Sequence, residues 1–460
     1  MRDFIRTLTP AGILLFLSWL ALCLIPMLSP HIYTAYLWRA PVPENTNVWE
    51  GFRSIGLHLV DIPLVAVLLV AVLLLIGFRA EHDRFGDSLR MIVEQYGGFW
   101  WAAFLVWMAF SILAAGEPLL AFYNTAHLAA ELFIALWIAD MVRRSYDRGL
   151  LLAFMLAGVV HSGLGLAQVI KGESLGLTWL GETQRSPINP YGFGPQTFRG
   201  AGLAFHPNNL GGFLLIAVFT CLMLLRETRS RGQIVAGATA GIIIILGLMA
   251  TVSRGAIVAA TVMVPIAAGT LFFKNVRDKY RYTIIAIPLL AFVLIVAGVL
   301  LVGGSFGESM IDRLGGWIRD PESFGERLTF AFPDTIAVIR SSPVMGTGAG
   351  NLMVKVGELR AGSGELLLPA HNVYPVMWAE AGIVGLALFI GGNLFILAHL
   401  HPCNHAGVTL WGWAFAALVI AMIADFYFWG DLRSRVLIFW VIGMWWGYSL
   451  QQHDSVIETG

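Results

Sequence analysis

One histidine, His371, lies where a polar stretch of this sequence gives way to a long apolar run. The sequence there reads PAHNVYPVMWAEAGIVGL, which predicts a helix beginning near residue 372, directly after the imidazole. Because histidine titrates near neutral pH, its side chain can act as a general base or as a hydrogen-bond donor at the mouth of such a helix. A histidine at a helix start can also have a purely structural role, so its surroundings must decide.

Three arginines have surroundings that favour anion binding: Arg199, Arg254 and Arg327. Arg199 lies in RGAGLAFHPNN, where glycines leave room for a lipid headgroup and a guanidinium can form two parallel hydrogen bonds to a phosphate. Arg254 lies in a short turn between two apolar runs, where an unpaired charge is costly and an anion is the expected partner. The simpler alternatives are binding of bulk phospholipid for Arg199 and snorkelling to the headgroups for Arg254. Arg327 either completes the anion site or pairs with Glu326 or Asp334.

Other polar side chains accompany these groups. Those predicted to bind an acceptor or to support the site are His206, Asn372 and Tyr374. Those within or near apolar runs, and therefore candidates for a proton relay or lipid contact, are Glu131, His161, Glu380 and Asp425. The stretch HLHPCNH at 399–405 has no recognised ligand spacing, and no nucleotide-binding glycine loop is apparent. We therefore predict no metal and no cofactor.

The elements that must position these side chains are membrane helices. Hydrophobic residues make up 57% of the chain and charged residues 13%. Because about 20 apolar residues are needed to cross a hydrocarbon core, this composition predicts an all-α polytopic membrane protein of about twelve transmembrane helices. We expect a single domain, 1–460, whose first span is not cleaved, with one large loop at 303–372. The predicted spans are 11–28, 62–78, 99–115, 122–140, 150–170, 207–225, 233–252, 256–273, 283–302, 373–398, 408–428 and 435–450.

Basic residues predict the orientation of these spans. If the N-terminus is cytoplasmic, fifteen of the 29 Lys and Arg residues fall in short cytoplasmic segments, as the positive-inside rule requires. Both termini are then cytoplasmic, and the large loop between the ninth and tenth spans lies on the outer face together with the candidate site residues. A net charge of zero predicts no nucleic-acid partner.

Several motifs resemble those of the O-antigen ligase and polymerase superfamily. They are SRGA after an apolar span, an R-x-x-x-A-x-x-x-I-x-x-x-P-x-x-G-x-G pattern met approximately by Arg327 to Gly348, and H-N-x9-G-x-x-G from His371 to Gly385. The resemblance extends to RGAGLAFHPNN and to the plan of twelve spans with one long outer loop. It covers most of the chain, although the specific matches are confined to short stretches.

This resemblance implies a metal-independent, inverting glycosyltransferase of the membrane-embedded GT-C kind. Its donor would be a glycan on undecaprenyl diphosphate at the periplasmic face of a bacterial inner membrane, surrounded by membrane lipids. Arg199, Arg254 and Arg327 would hold the diphosphate, and His371 would position or deprotonate the acceptor hydroxyl. Guanidinium groups suit this task because they stabilise the negative charge that develops on a departing diphosphate.

Three functions remain open at this stage. The motif at His371 favours a ligase that transfers a glycan to lipid A-core. A polymerase that joins lipid-linked repeat units of O-antigen or exopolysaccharide is the alternative within the same superfamily. A transporter of lipid-linked sugar, with Glu131, His161 and Asp425 as a proton path, is the alternative from another class. It predicts paired halves with interrupted helices, and the sequence shows no such internal symmetry.

Overall fold

The computed structural model describes residues 9–30, 34–48, 50–182, 199–228, 230–272, 332–364, 366–400 and 405–459. Arg327, the predicted span 283–302 and the first part of the predicted loop, 303–331, lie outside the described residues. The helices are α1 (Pro10–Leu28), α2 (Asp61–Gly77), α3 (Arg79–Gln95), α4 (Gly98–Ser111), α5 (Pro118–Arg143), α6 (Asp147–Lys171), α7 (Pro207–Glu227), α8 (Arg231–Ala250), α9 (Arg254–Phe272), α10 (332–341), α11 (Leu352–Leu359), α12 (Val373–Ala398), α13 (Ala406–Ala424), α14 (Tyr427–Gly430) and α15 (Leu432–Thr459). The strands are β1 (Thr34–Arg39), β2 (Asn47–Val48), β3 (Ser54–His58) and β4 (Leu366–Leu367).

The chain is an all-α, multi-pass membrane protein. Eight of the described helices are long and apolar enough to cross a membrane, or up to nine if the bent pair α2 and α3 counts as one span. The predicted class is therefore confirmed, whereas the predicted count of twelve is not. The helix α4, over the predicted span 99–115, has 14 residues and is shorter than a membrane crossing requires.

The helix α3 turns away from α2 by 114° and differs from it in character. Its sequence is polar on one side and buries Phe85, Ser88 and Ile92 on the other. An amphipathic helix of this kind is typical of a membrane surface, where only one face meets apolar material. The basic segment between the predicted spans 62–78 and 99–115 is therefore a helix and not a loop.

The helices form one bundle in which α5 packs along α15, α9 packs along α13, and α7 runs between its neighbours α8, α6 and α9. Among the candidate spans, α7 is 89% buried, so little of it faces lipid. We call the end where α7, α9, α12 and α15 begin the site end. Contacts across the bundle define it: Ser29, after α1, donates to the carbonyl of Arg433 at the start of α15 at 2.7 Å.

A small β-structure covers the site end. Strands β1 and β3 pair antiparallel, and β2 pairs parallel with β4, which joins this segment to the chain just before α12. The Tyr123 hydroxyl of α5 donates to the carbonyl of Gly56 in β3 at 2.5 Å. This β-structure was not predicted, because its strands are short and one of them pairs with residues more than three hundred positions away.

The helix α12 is broken in the middle, at Gly382. Its φ of 66° and ψ of −177° lie in a region that is essentially accessible only to glycine. The loop 343–350 fills the break: the amides of Thr347 and Gly348 donate to the carbonyls of Ala379 and Glu380 at 2.9 Å each. On the far side of the break, the Ile383 amide donates to the loop at 2.9 Å. The glycine loop and the broken helix thus form one hydrogen-bonded unit.

The same unit includes a buried carboxylate. Glu380, 7% exposed, accepts a hydrogen bond from the indole of Trp429 at 3.0 Å and further ones from the backbone of Gly350 and Leu352, where α11 begins. A carboxylate at a helix start satisfies amides that have no partner within the helix. Glu380 therefore joins α12 to α11 and α14, the elements on either side of the site described below.

We expect Gly382→Ala to destabilise the protein by roughly 3 kcal/mol or more. The glycine-only backbone costs about 1–3 kcal/mol for other residues, and the added Cβ would also collide with the carbonyl of Val344. Gly163→Ala, within α6, is the matched control, because a Cβ there meets open space. Thermal unfolding in detergent measures both variants. Equal transition temperatures would show that the break is not a stability constraint.

Candidate functional site

His371 and Asp425 face each other at the site end. His371 immediately precedes Asn372, whose side-chain oxygen caps α12 by accepting from the Tyr374 amide at 2.9 Å. Asp425 immediately follows α13. The His371 Nδ1 lies 3.7 Å from Oδ1 of Asp425, and neither atom has a hydrogen-bond partner among the described residues. The Phe426 ring packs edge-on against the imidazole at 5.2 Å.

An asparagine joins this pair to an arginine. The Nδ2 of Asn208 donates to Oδ2 of Asp425, and its Oδ1 accepts from Nη2 of Arg199 at 2.5 Å. Hydrogen bonds therefore run from the guanidinium through the amide to the carboxylate, whose other oxygen faces the imidazole at 3.7 Å. We call His371, Asp425, Asn208 and Arg199 the site network.

The backbone turn between α8 and α9 holds Arg199 in place. The Nε of Arg199 donates to the carbonyl of Thr251 at 2.8 Å, and its Nη2 also donates to the carbonyl of Val252 at 3.2 Å. Arg254 begins α9 two residues after Val252. The two predicted anion-binding arginines therefore share one turn, although 55 positions separate them in the sequence.

The helix that Arg254 begins packs against α13 directly before Asp425. Its neighbour Gly255 lies so close to α13 that an added Cβ would be 2.8 Å from the Cβ of Ala424, the residue before Asp425. The Arg254 side chain is half-buried. The structure thus places Arg199 in the site network with His371, and Arg254 in the adjoining turn.

The conformation of the segment RGAG follows from two contacts with α6. The Gln168 side chain accepts from the amides of Ala201 and Gly202 at 3.0 and 2.8 Å and donates to the Gly202 carbonyl at 2.8 Å. Gly200 packs against the backbone of Gly165, where a side chain would collide. These contacts hold the segment against α6 and fix the backbone from which Arg199 projects.

The remaining predicted residues occupy different places. His206 caps α7 by accepting from the Asn208 amide at 3.1 Å, and its ring stacks on Tyr427 at 4.8 Å, so it lies beside the site network. The Tyr374 ring instead packs against Phe389 inside the bundle at 6.0 Å. No hydrogen bond of the site network, within the described ranges, involves Tyr374. Arg327 lies outside the described residues and stays a prediction.

The roles of Asn208 and Asp425 were not predicted from the sequence. Asp425 was grouped with Glu131 and His161 as a proton path, but Glu131 forms a buried ion pair with Arg435 at 2.6 Å. His161 lies elsewhere, with its Nε2 3.1 Å from the carbonyl of Met27. Asp425 could have been predicted from its position directly after a long apolar run, on the same outer face of the membrane as His371.

This arrangement can support the transfer of a group from an anionic leaving group. The arginines supply fixed hydrogen-bond donors for the anion, and the carboxylate beside Nδ1 of His371 can orient the imidazole so that Nε2 is available to a hydroxyl. Such chemistry agrees with what comparison with known proteins shows.

A family model described as O-antigen ligase matches residues 214–390. The matched segment runs from α7 to α12, and it includes Arg254 and His371 but not Arg199 or Asp425. No curated protein matches the chain. The resemblance found in the sequence is confirmed over this segment, because residues 214–390 match an O-antigen ligase domain.

Proposed function

We propose that the protein is a membrane glycosyltransferase that moves a glycan from undecaprenyl diphosphate to an acceptor hydroxyl, with lipid A-core as the acceptor. The observation that carries this proposal is the site network, in which an arginine and a histidine from distant segments meet through Asn208 and Asp425. The O-antigen ligase match over 214–390 supports it independently, because a match of sequence does not depend on these contacts.

The arginines act on the leaving group. When the bond between the sugar and the diphosphate breaks, an electron pair stays on the diphosphate oxygen. Arg199, held by hydrogen bonds to the turn between α8 and α9, and Arg254, which begins α9, stabilise that charge. Arg327 is proposed as a third contact to the same diphosphate. Fixed guanidinium groups can take the part that a divalent ion plays in other transferases, so the proposed reaction is metal-independent.

His371 acts on the nucleophile. Its Nδ1 faces Asp425, so Nε2 is the nitrogen that can take the proton of the acceptor hydroxyl. The acceptor oxygen then bonds to the anomeric carbon as the bond to the diphosphate breaks, and attack opposite the leaving group inverts that carbon. Asp425 stabilises the imidazolium that forms, as the carboxylate does in other carboxylate–histidine pairs.

Asn208 suits its position because an amide both donates and accepts. It donates to the carboxylate of Asp425 and accepts from the guanidinium of Arg199. An aspartate at this position would place two carboxylates together, and a leucine would leave both partners without this contact. An asparagine at this position therefore links Arg199, which binds the anion, to Asp425, which faces the base His371.

We infer that the site end is periplasmic and that the protein lies in a bacterial inner membrane with both termini in the cytoplasm. The opposite end carries Arg143 and Arg144, which form ion pairs with Asp454 at 2.8 Å and Glu81 at 2.6 Å, together with the other basic residues of α3. Arginines in short segments favour the cytoplasmic side. This orientation presents the site network to the leaflet where a translocated lipid-linked glycan is displayed.

Reconstitution tests the function. Purified protein, undecaprenyl diphosphate-linked glycan and lipid A-core should yield glycosylated lipid A-core and free undecaprenyl diphosphate. Longer undecaprenyl-linked chains would identify a polymerase instead. Movement of intact donor across a vesicle membrane, without any new glycosidic bond, would identify a transporter and contradict the proposal.

A further inference from the structure

A polar cavity lies at the site end, outside the site network. It has a volume of about 60 Å³ and is enclosed by the β1–β3 hairpin and by the first turns of α5, α11 and α15. The polar and aromatic side chains that line it include Tyr123, His58, Glu380, Arg433, Arg435 and Trp429. Since a water needs about 10–15 Å³ of such space, the cavity holds roughly four to six waters, comparable with a single sugar ring.

This cavity is connected to His371 through Phe426. The Phe426 ring lines the cavity and also packs against the imidazole, with the ring centroids 5.2 Å apart. Pro369, two residues before His371, lines the cavity as well. Within the site network, Arg199 is linked to Asp425, the residue directly before Phe426. The cavity therefore lies beside the site network and next to His371.

The positive charges in the cavity are compensated. Arg433 is paired with Asp431 at 2.8 Å, and Arg435 with Glu131 at 2.6 Å, and both arginines are almost fully buried. Burial, together with the charge of Arg433, lowers the pKa of His58 to about 4, so His58 is neutral at pH 7. A phosphate would require positive charge that is not already compensated. The cavity instead offers many hydrogen-bonding groups without an uncompensated cation among the described residues that line it.

Aromatic rings complete a lining suited to a carbohydrate. Trp429 and Phe426 contribute apolar ring atoms to the lining, and the guanidinium of Arg435 covers one face of the Trp429 ring at 5.0 Å from its centroid. Sugar rings have apolar C–H faces and a rim of hydroxyls, so they combine well with aromatic faces beside paired ionic groups. A neutral, hydroxylated ring fits this chemistry better than a lipid chain or an anion.

We propose that this cavity is the acceptor subsite and receives the sugar ring whose hydroxyl is glycosylated. The inference rests on the proposed function, since it assigns one substrate of that reaction to a place. With the donor diphosphate at Arg199 and Arg254 and the acceptor ring beside Phe426, the acceptor hydroxyl projects past the Phe426 ring to Nε2 of His371 and to the anomeric carbon.

Substitutions that fill the cavity with a larger side chain test this assignment. Leu120, 1% exposed, lines the cavity, whereas its neighbour Leu119, 53% exposed, does not. We expect Leu120→Phe to raise the KM for lipid A-core about tenfold or more while the KM for the lipid-linked donor moves less than about twofold. Leu119→Phe, the matched control, should leave both constants at the wild-type values. Val376→Leu, at another lining position, adds less volume and serves if Leu120→Phe does not fold.

The outcomes separate this inference from the function. A wild type that transfers glycan, with an unchanged acceptor KM in both filled variants, overturns the subsite alone. If the KM for the donor rises instead in a filled variant, the cavity binds the donor glycan, and the acceptor subsite is again overturned. Absence of transfer by the wild type overturns the proposed function, and the subsite with it.

Discussion

Replacing His371 by alanine is expected to lower the rate of glycan transfer by about 100- to 10,000-fold, the usual contribution of a general base. The acceptor hydroxyl would lose the group that takes its proton, while the arginines that hold the donor stay in place. The measurement is the initial rate of product formation by purified protein at saturating donor and acceptor, with donor affinity measured in parallel.

His399→Ala is the matched control for this variant. His399 is an exposed histidine at the opposite end of the same helix, α12, and has no place in the site network. Its replacement should leave the rate within about twofold of the wild type. If His371→Ala kept a comparable rate while remaining folded, the imidazole would not be the base, and the role assigned to Asp425 would lose its support.

Arg199→Lys is expected to lower kcat/KM for the donor by about 100-fold or more, although the charge is kept. Arg199 spreads its donors over the carbonyl of Thr251, the carbonyl of Val252 and the amide of Asn208. A lysine has one ammonium and cannot reproduce this planar arrangement, so the cation would no longer be fixed where the diphosphate develops charge. Steady-state kinetics with the lipid-linked donor measures the effect.

Arg231→Lys, an exposed arginine at the start of α8 and at the other end of the bundle, controls for a general effect of the substitution. A donor kcat/KM in Arg199→Lys equal to that of this control would mean that charge alone is needed. The fixed planar arrangement of donors proposed for Arg199 would then not be needed.

Local signals in the sequence were enough to predict the helix starts and the position of His371 directly before a helix. The apolar run after His371 is long, and Asn372 is a residue type that caps helices, so α12 begins within one residue of the predicted position. Arg254 at the start of α9 follows from the same reasoning, because a short turn between two apolar runs leaves few places for a charge. Each of these features is contained within about twenty neighbouring residues.

Pairings between distant residues were not predictable in the same way. Asn208 and Asp425 are 217 positions apart, and Arg435 and Glu131 are 304 positions apart. Hydropathy indicates that ionisable residues within apolar runs face the bundle interior, but it does not name their partners. The broken helix at Gly382 was missed for a similar reason, since its freed carbonyls are satisfied by a loop more than thirty positions earlier.

The helix α10, at 332–341, packs against the rest of the protein through one face. Thr335 and Val338 are fully buried, whereas Ile336 is 39% exposed. Asp334 on this helix pairs with Arg360 at 2.9 Å. Arg327, for which Asp334 was one predicted partner, therefore stays a candidate for the diphosphate site.

The most direct test is an experimental structure of the protein with an undecaprenyl diphosphate-linked glycan bound. We predict that the diphosphate contacts the guanidinium groups of Arg199 and Arg254 and that the anomeric carbon lies on the Nε2 side of His371. A donor bound with its diphosphate away from both arginines, or with its anomeric carbon out of reach of His371, would contradict the central claim.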